Sequence, residues 1–152
     1  MDMMGMSKAT RITADVKTYI KLKAVVTKFF ELIRNDVAQG KMLGIPSVEI
    51  NANIFRLKVL DNTIEVKYDM VFDDTRRRYG RLEFEYIVST DEKESVMTLY
   101  YDDLGNIIYG LTQTVNFTEE NARTRVAFDL IEKLLLLPRF KVSRETQEEL
   151  LK

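Results

Sequence analysis

Apolar residues recur at two spacings along the chain, and the change of spacing marks the boundaries of the predicted elements. Between residues 48 and 117 they mostly alternate with polar residues, which is the period of a half-buried β-strand. On both sides of this stretch they recur every three or four residues, the period of an amphipathic helix. The sequence therefore predicts an α+β fold. A single antiparallel meander sheet of about five strands packs against a long N-terminal helix and a long C-terminal helix, and a short final helix follows.

The first helix is predicted to run from the N-cap Thr13 to the left-handed cap Gly40. Its apolar residues form one stripe that we expect to face the core: Val16, Tyr19, Leu22, Val26, Phe29, Phe30, Ile33 and Val37. The exposed face is basic and carries Arg11, Lys17, Lys21, Lys23 and Lys28. Such a face attracts nucleic acid or an anionic membrane surface, but it is also typical of a solvated helix. Both interpretations stay open.

The two chain ends differ in their patterns. Residues 1–10 have no apolar period, which predicts a disordered lead and leaves residues 11–152 as a single domain. Thr118 is the predicted N-cap of the second long helix, and Pro138 marks its end. The short final helix is predicted to run from the cap Ser143 to Leu151, with Leu150 and Leu151 as its apolar anchors.

The first hairpin of the predicted sheet turns at Asp61-Asn62, because Asp and Asn tolerate the positive φ that a two-residue turn requires. This turn predicts three cross-strand pairs: Val59 with Ile64, Leu57 with Val66 and Phe55 with Tyr68. Further towards the N-terminus the apolar phase slips by one residue, which would turn every side chain to the other face. The sequence predicts a β-bulge at Asn53-Ile54 that corrects this slip and sets Ala52 opposite Met70.

The strand from Val96 to Tyr101 is apolar on both faces, as expected of a strand that is covered on two sides. The outer sheet face, away from the helices, is therefore predicted to be partly apolar. Its candidate interface residues are Ile87, Met97, Leu99, Tyr101 and Ile108. An exposed apolar patch of this kind indicates a protein partner or a homodimer. The alternative is that the final helix covers this face through Leu150 and Leu151.

A second candidate surface is the basic turn that follows the strand ending at Phe72. Its residues are Arg76, Arg77, Arg78, Tyr79 and Arg81, a combination that suits phosphate contact and base stacking. The turn also suits ion pairing with aspartates predicted at the same end of the sheet: Asp73, Asp74, Asp102 and Asp103. These four carboxylates suit a hard cation, but the spacing of a calcium loop is missing and arginines compete for them. No metal site is predicted.

The composition of this 152-residue chain narrows the chemistry further. It contains no histidine and no cysteine, which removes the usual general base, the commonest metal ligand and every thiolate site. Glu83 and Glu85 share a strand face, but Arg81 and Lys67 lie beside them, so we expect ion pairs and no catalytic dyad. No glycine-rich phosphate loop occurs. We therefore predict no enzymatic activity and no cofactor.

Charge and hydropathy favour no particular compartment strongly. The formal net charge is −1, the N-terminus lacks the pattern of a signal peptide, and no stretch approaches the roughly 18 apolar residues of a membrane span. We expect a cytoplasmic protein. The predicted function is a non-enzymatic protein-binding or adaptor domain that associates with itself through the outer sheet face. The alternative is a nucleic-acid-binding module that uses residues 76–81, and a small apolar ligand is a third option.

Overall fold

The structure, a computed structural model, describes residues 3–51, 54–109 and 113–152. It is an α+β fold in which the strands of one antiparallel sheet follow one another in chain order, and this confirms the predicted fold class. Within these described residues the sheet has seven strands where about five were predicted. The elements are α1 (Met3–Ala38), β1 (Ser47–Ile50), β2 (Phe55–Val59), β3 (Asn62–Phe72), β4 (Arg78–Ser89), β5 (Glu92–Tyr101), β6 (Asn106–Tyr109), β7 (Gln113–Asn116), α2 (Glu120–Leu135), a 3₁₀ turn (Pro138–Phe140) and α3 (Arg144–Leu150).

The two additional strands arise because two predicted strands are each a hairpin. β1 pairs with β2 so that Ile50 lies opposite Phe55, and the Asn51 amide donates to the Ile54 carbonyl at 3.0 Å. The phase slip read as a β-bulge at Asn53-Ile54 is thus a chain reversal, which also resets the face that each side chain takes; Ala52 and Asn53 themselves lie outside the described residues. Similarly, β6 and β7 replace one strand and set Ile107 opposite Val115.

The hairpin between β2 and β3 turns one residue earlier than predicted. Its central residues are Leu60 and Asp61, with φ of 48° and 67°. Leu57 therefore pairs with Ile64 and Phe55 with Val66, two residues from the predicted partners. The Asn62 side chain stabilises this turn because its amide donates to the Val59 carbonyl at 3.3 Å and the Leu60 carbonyl at 3.0 Å. A shift of two residues leaves every side chain on its predicted face.

The first helix begins at Met3, so the predicted N-cap at Thr13 is wrong, and residues 3–10 of the predicted lead are helical. Thr13 lies inside the helix, where its hydroxyl donates to the Ala9 carbonyl at 2.8 Å. The residues before it, mainly Met, Lys, Ala and Arg, have high helix propensity and continue the helix without an apolar period. At the other end the prediction is confirmed, since α1 ends at Ala38 and Gly40 follows with φ of 73°.

The C-terminal elements agree with the prediction in position but differ in detail. The N-cap position of α2 is Glu119, which makes no side-chain cap hydrogen bond, and not the predicted Thr118, whose hydroxyl donates to the Asn116 side chain at 2.6 Å. The cap of α3 is Ser143 as predicted, and its hydroxyl accepts from the Thr146 amide at 3.2 Å. Leu150 and Leu151, however, are 72% and 89% exposed, so the prediction that they anchor the final helix is wrong.

The core lies between one face of the sheet and the two long helices. The ring of Phe30 in α1 stacks on that of Phe55 in β2 at 4.4 Å between centroids. Two tyrosines of the sheet hold α1 in place: Tyr101 donates to the Leu22 carbonyl at 2.8 Å, and Tyr68 donates to the Tyr19 carbonyl at 3.1 Å. These contacts fix the middle of α1 on the inner face of the sheet.

Candidate functional site

The predicted protein interface depends on which face of the sheet the β5 side chains take. Phe84 of β4 pairs with Met97, but its neighbour Glu85 pairs with Ser95, so Val96 is an additional residue in β5. This β-bulge reverses the alternation of the side chains along the strand. Met97, Leu99 and Tyr101 therefore lie on the inner face and are buried. Their predicted position on the outer face is wrong, because a strand that is apolar on both sides leaves its register undetermined.

The other two predicted interface residues, Ile87 and Ile108, remain partly exposed. Ile87 of β4 lies opposite Lys93, and Ile108 of β6 lies opposite Thr114. β5 lies between their strands and presents Thr98 and Tyr100 on the outer side. Two isoleucines separated by polar positions do not form the contiguous apolar patch on which the prediction was based.

Ion pairs cover the centre of the outer sheet face. Glu65 is buried beneath Arg56 and Lys93, whose nitrogens lie 3.4 Å and 3.3 Å from its carboxylate. Lys67 pairs with Glu85 at 3.2 Å, and this hydrogen bond raises the pKa of Lys67. The two carboxylates considered for acid–base chemistry, Glu83 and Glu85, are thus ion-paired as predicted, since Arg81 lies 3.4 Å from Glu83.

Two arginines of the basic turn form ion pairs, and two others are exposed. Arg78 forms an ion pair with Asp15 of α1, and Arg81 forms two hydrogen bonds with Asp69 at 2.9 Å and 2.7 Å. Tyr79 donates to Asp73 at 3.3 Å. Two exposed guanidinium groups remain: that of Arg76 lies 5.1 Å from the centroid of the Phe72 ring, and that of Arg77 lies 5.7 Å from the centroid of the Tyr79 ring.

The aspartates considered as cation ligands bond to their own turns. Asp73 accepts hydrogen bonds from the hydroxyl and amide of Thr75 and from the Arg77 amide, and these bonds lower the pKa of Asp73. Asp102 accepts from the Leu104 amide at 3.0 Å and from the Asn106 amide at 2.9 Å. Within residues 3–51, 54–109 and 113–152, no group of three or more acidic, histidine or cysteine side chains is placed to hold a metal ion.

An exposed apolar surface that the sequence did not predict lies on α1. Ile12, Val16 and Ile20 are 48%, 52% and 61% exposed and follow one another at intervals of four residues, which places them along one side of the helix. With the partly exposed Tyr19 they form a surface that we call the α1 stripe. Among the described side chains, none from Ser7 to Lys21 is buried, so this half of α1 extends past the core.

The sequence predicted Val16 and Tyr19 as core residues because the helical apolar period continues unbroken from the exposed half of α1 into the packed half. Among the described side chains of α1, Leu22 is the first that is fully covered. The exposed half is held to the sheet by the Asp15–Arg78 ion pair and by the Tyr19 and Tyr68 rings, whose centroids are 5.4 Å apart. Periodicity reports which side of a helix is apolar, not whether another element covers it.

A small apolar cavity lies between α1 and the sheet, lined by residues such as Val26, Phe29, Leu99 and Ile107. Its volume is about 10 Å³, which is space for about one water molecule. This cavity does not support the third option, a small apolar ligand.

No protein-family model, no curated protein and no solved structure matches this chain. In the part of the chain that the structure describes, no helix combines the length and the apolar content that a membrane crossing requires.

Proposed function

We propose that this protein is a non-enzymatic, cytoplasmic binding domain that associates with a second copy of itself through the α1 stripe. The observation that carries the proposal is the regular exposure of Ile12, Val16 and Ile20 on a half-helix that packs little against its own domain. Apolar residues that stand at the spacing of a packed helix face, but are left exposed, are typical of a surface that a partner covers.

The α1 stripe is a better candidate for this interface than the sheet. The charged side chains of the outer sheet face already pair with one another, whereas the α1 stripe exposes apolar side chains to water. Burying the exposed part of Val16 or Ile20 contributes about 1–2 kcal/mol each, at about 25 cal/mol per Å² of apolar surface. The absence of histidine and cysteine supports the non-enzymatic part of the proposal, and a chain without cysteine suits the reducing cytoplasm.

Sedimentation equilibrium over a concentration series tests the proposal. The wild-type protein is expected to form dimers, and the double variant Val16→Gln/Ile20→Gln is expected to raise the dissociation constant by at least about a hundredfold, because each dimer loses four apolar side chains from its interface. Glutamine keeps the helix propensity of this exposed segment. Leu104→Gln is the matched control, since Leu104 is an even more exposed apolar residue, in the turn between β5 and β6.

Two results would contradict self-association through the stripe. One is a wild-type protein that stays monomeric at every concentration. The other is a dimer whose dissociation constant responds equally to the α1 double variant and to Leu104→Gln.

Nucleic-acid binding is the second candidate function, and the exposed pair Arg76 and Arg77 beside aromatic rings supports it. A guanidinium group next to a ring suits a phosphate with a stacked base. Affinity for a single-stranded oligonucleotide is then expected to fall steeply with added salt and to weaken in the variant Arg76→Ala/Arg77→Ala. No binding at low salt would remove this candidate.

A further inference from the structure

We propose that the segment that covers the α1 stripe is the C-terminal segment of a second copy, residues 142–151, and that two copies exchange this segment reciprocally. This inference rests on the proposed function and names the partner surface within it. It follows from three features of the structure: a second exposed apolar segment, opposite charge on the two segments, and the distance that separates them within one chain.

The C-terminal segment is an amphipathic element without a covering surface. Every residue from Lys141 to Lys152 is exposed. α3 is nevertheless well formed, with Ser143 as its N-cap and an ion pair between Arg144 and Glu148 at 3.9 Å. Its apolar residues, Leu150 and Leu151, and the preceding Val142 are all open to solvent. A helix of seven residues is marginal in water by itself, so a packing surface would stabilise it.

The charges of the two segments are complementary. Residues 7–28 of α1 contain six basic residues and one acidic residue, Asp15: the basic ones are Lys8, Arg11, Lys17, Lys21, Lys23 and Lys28. α3 contains three acidic residues, Glu145, Glu148 and Glu149, against Arg144. A direct pairing of α1 with the α1 of a second copy would bring the basic groups of both together. Docking of α3 instead brings carboxylates to them, which favours the C-terminal segment as the partner.

The positions of the two segments favour exchange between copies over docking within one chain. α3 leaves the domain beside Tyr86, whose ring lies 5.9 Å from that of Phe140. Tyr19 of the α1 stripe contacts Tyr68, which pairs with Leu82 of β4, whereas Ile12 and Val16 lie towards Arg78 at the far end of β4. Eight residues of strand separate Arg78 from Tyr86, roughly 26 Å at about 3.3 Å per residue. The connector and α3 together reach roughly 20 Å, at about 3.5 Å per extended residue and about 1.5 Å per helical residue, which is short of Val16 and further still from Ile12.

Reciprocal exchange also doubles the buried area, because the contact forms twice. In a closed two-fold dimer each copy gives its α3 and receives the other, so the same contact forms twice. A stable interface buries about 1,600 Å² in total, so each of the two contacts needs to bury about half of that area. The dimer closes on itself because both stripes are then covered.

A double-mutant cycle measured by sedimentation equilibrium tests the exchange. Leu150→Gln/Leu151→Gln removes the apolar side chains of α3, both of which are exposed, so the fold of the monomer is kept. We expect this variant to raise the dissociation constant at least about a hundredfold, as Val16→Gln/Ile20→Gln does. The quadruple variant is expected to be no weaker than either double variant, because both remove the same contact. Leu104→Gln is again the control.

Charge reversal gives a second readout of the same contact. Lys17→Glu/Lys21→Glu and Glu148→Lys/Glu149→Lys are each expected to weaken the dimer about tenfold, and their combination is expected to restore most of the affinity. A combination that is weaker than either parent would overturn the exchange.

The remaining outcomes separate this inference from the proposed function. If the α1 variant dissociates the dimer but the α3 variant does not, the stripe is the interface and another surface occupies it. If the α3 variant speeds amide hydrogen exchange in residues 12–20 of the monomer, docking occurs within one chain and the exchange is wrong. If neither variant changes the mass, both proposals fail.

Discussion

Asp36 and Arg123 form a buried ion pair that joins the end of α1 to the start of α2. The Arg123 guanidinium donates to the Asp36 carboxylate at 2.5 Å and 3.0 Å and to the carbonyls of Phe117 and Thr118 at 3.1 Å and 2.9 Å. Because the pair is buried and well hydrogen-bonded, removing one partner is expected to lower stability more than replacing both partners by apolar residues. The pair fixes the relative position of the two long helices.

We expect Arg123→Met to lower the free energy of unfolding by about 3–5 kcal/mol, because it leaves the Asp36 charge buried without its partner. The double variant Asp36→Leu/Arg123→Met is expected to recover a large part of that loss. Urea unfolding at neutral pH measures both. A single variant as stable as the wild type would show that the pair contributes little.

Tyr101 makes the stability of the protein depend on pH in the alkaline range. Burial raises the pKa of Tyr101, and likewise that of Tyr68, because burial disfavours the charged form of each hydroxyl. The unfolded tyrosine ionises near pH 10, so its contribution to stability is complete below about pH 10 and is lost as the pH rises further.

Tyr101→Phe is expected to cost about 1 kcal/mol at neutral pH, the value of one hydrogen bond, and to reduce the loss of stability above about pH 10. Tyr100→Phe, a change at the exposed neighbouring position, serves as the control. Denaturant unfolding at several pH values measures the effect. Parallel pH curves for wild type and Tyr101→Phe would contradict it.

At the scale of the element, β5 shows how one additional residue decides the composition of a surface. The bulge at Val96 turns Met97, Leu99 and Tyr101 into the core and leaves Thr98 outside, opposite Glu83. The sequence predicted the strand itself but not the bulge, because both registers of this strand bury apolar residues. The one-residue shift of the apolar alternation before β2 was visible in the sequence, but a chain reversal causes it and not the predicted β-bulge.

The register of β5 is tested by placing one lysine on each face. Met97→Lys is expected to lower the free energy of unfolding by several kcal/mol, since it places a charge in the core. Thr98→Lys is expected to change stability by less than about 0.5 kcal/mol, because the side chain is exposed and faces Glu83. If the two variants were equally stable, the bulge would lie elsewhere.

At the scale of the whole molecule, the packed domain and its two exposed segments contribute differently to stability. The core lies between the sheet, the packed half of α1 and α2, whereas residues 142–152 and residues 7–13 of α1 are exposed. The exposed apolar side chains of these segments, such as Val16, Ile20 and Leu150, are the ones that we propose for association.

Removing residues 142–152 is expected to leave the free energy of unfolding of the monomer within about 0.5 kcal/mol of the wild type, because surface residues away from packing contribute little. At concentrations where the wild type dimerises, its melting temperature is expected to rise with concentration while that of the truncated protein stays constant. Calorimetry over a concentration series measures this. A truncated protein that melts much lower even at high dilution would show that the segment packs on its own domain.

The local pattern of the sequence determined the two helix-bearing ends, the meander of strands, the caps at Gly40 and Ser143 and the ion-paired state of Glu83 and Glu85. These follow from periods of two and of three to four residues and from turn chemistry, which act over a few neighbouring residues. Only the tertiary structure decided which face the β5 side chains take, that Asp36 meets Arg123 across 87 positions, and that α1 extends past the core. Each of these depends on strand pairing or on the size of the covering sheet, and no local spacing records either.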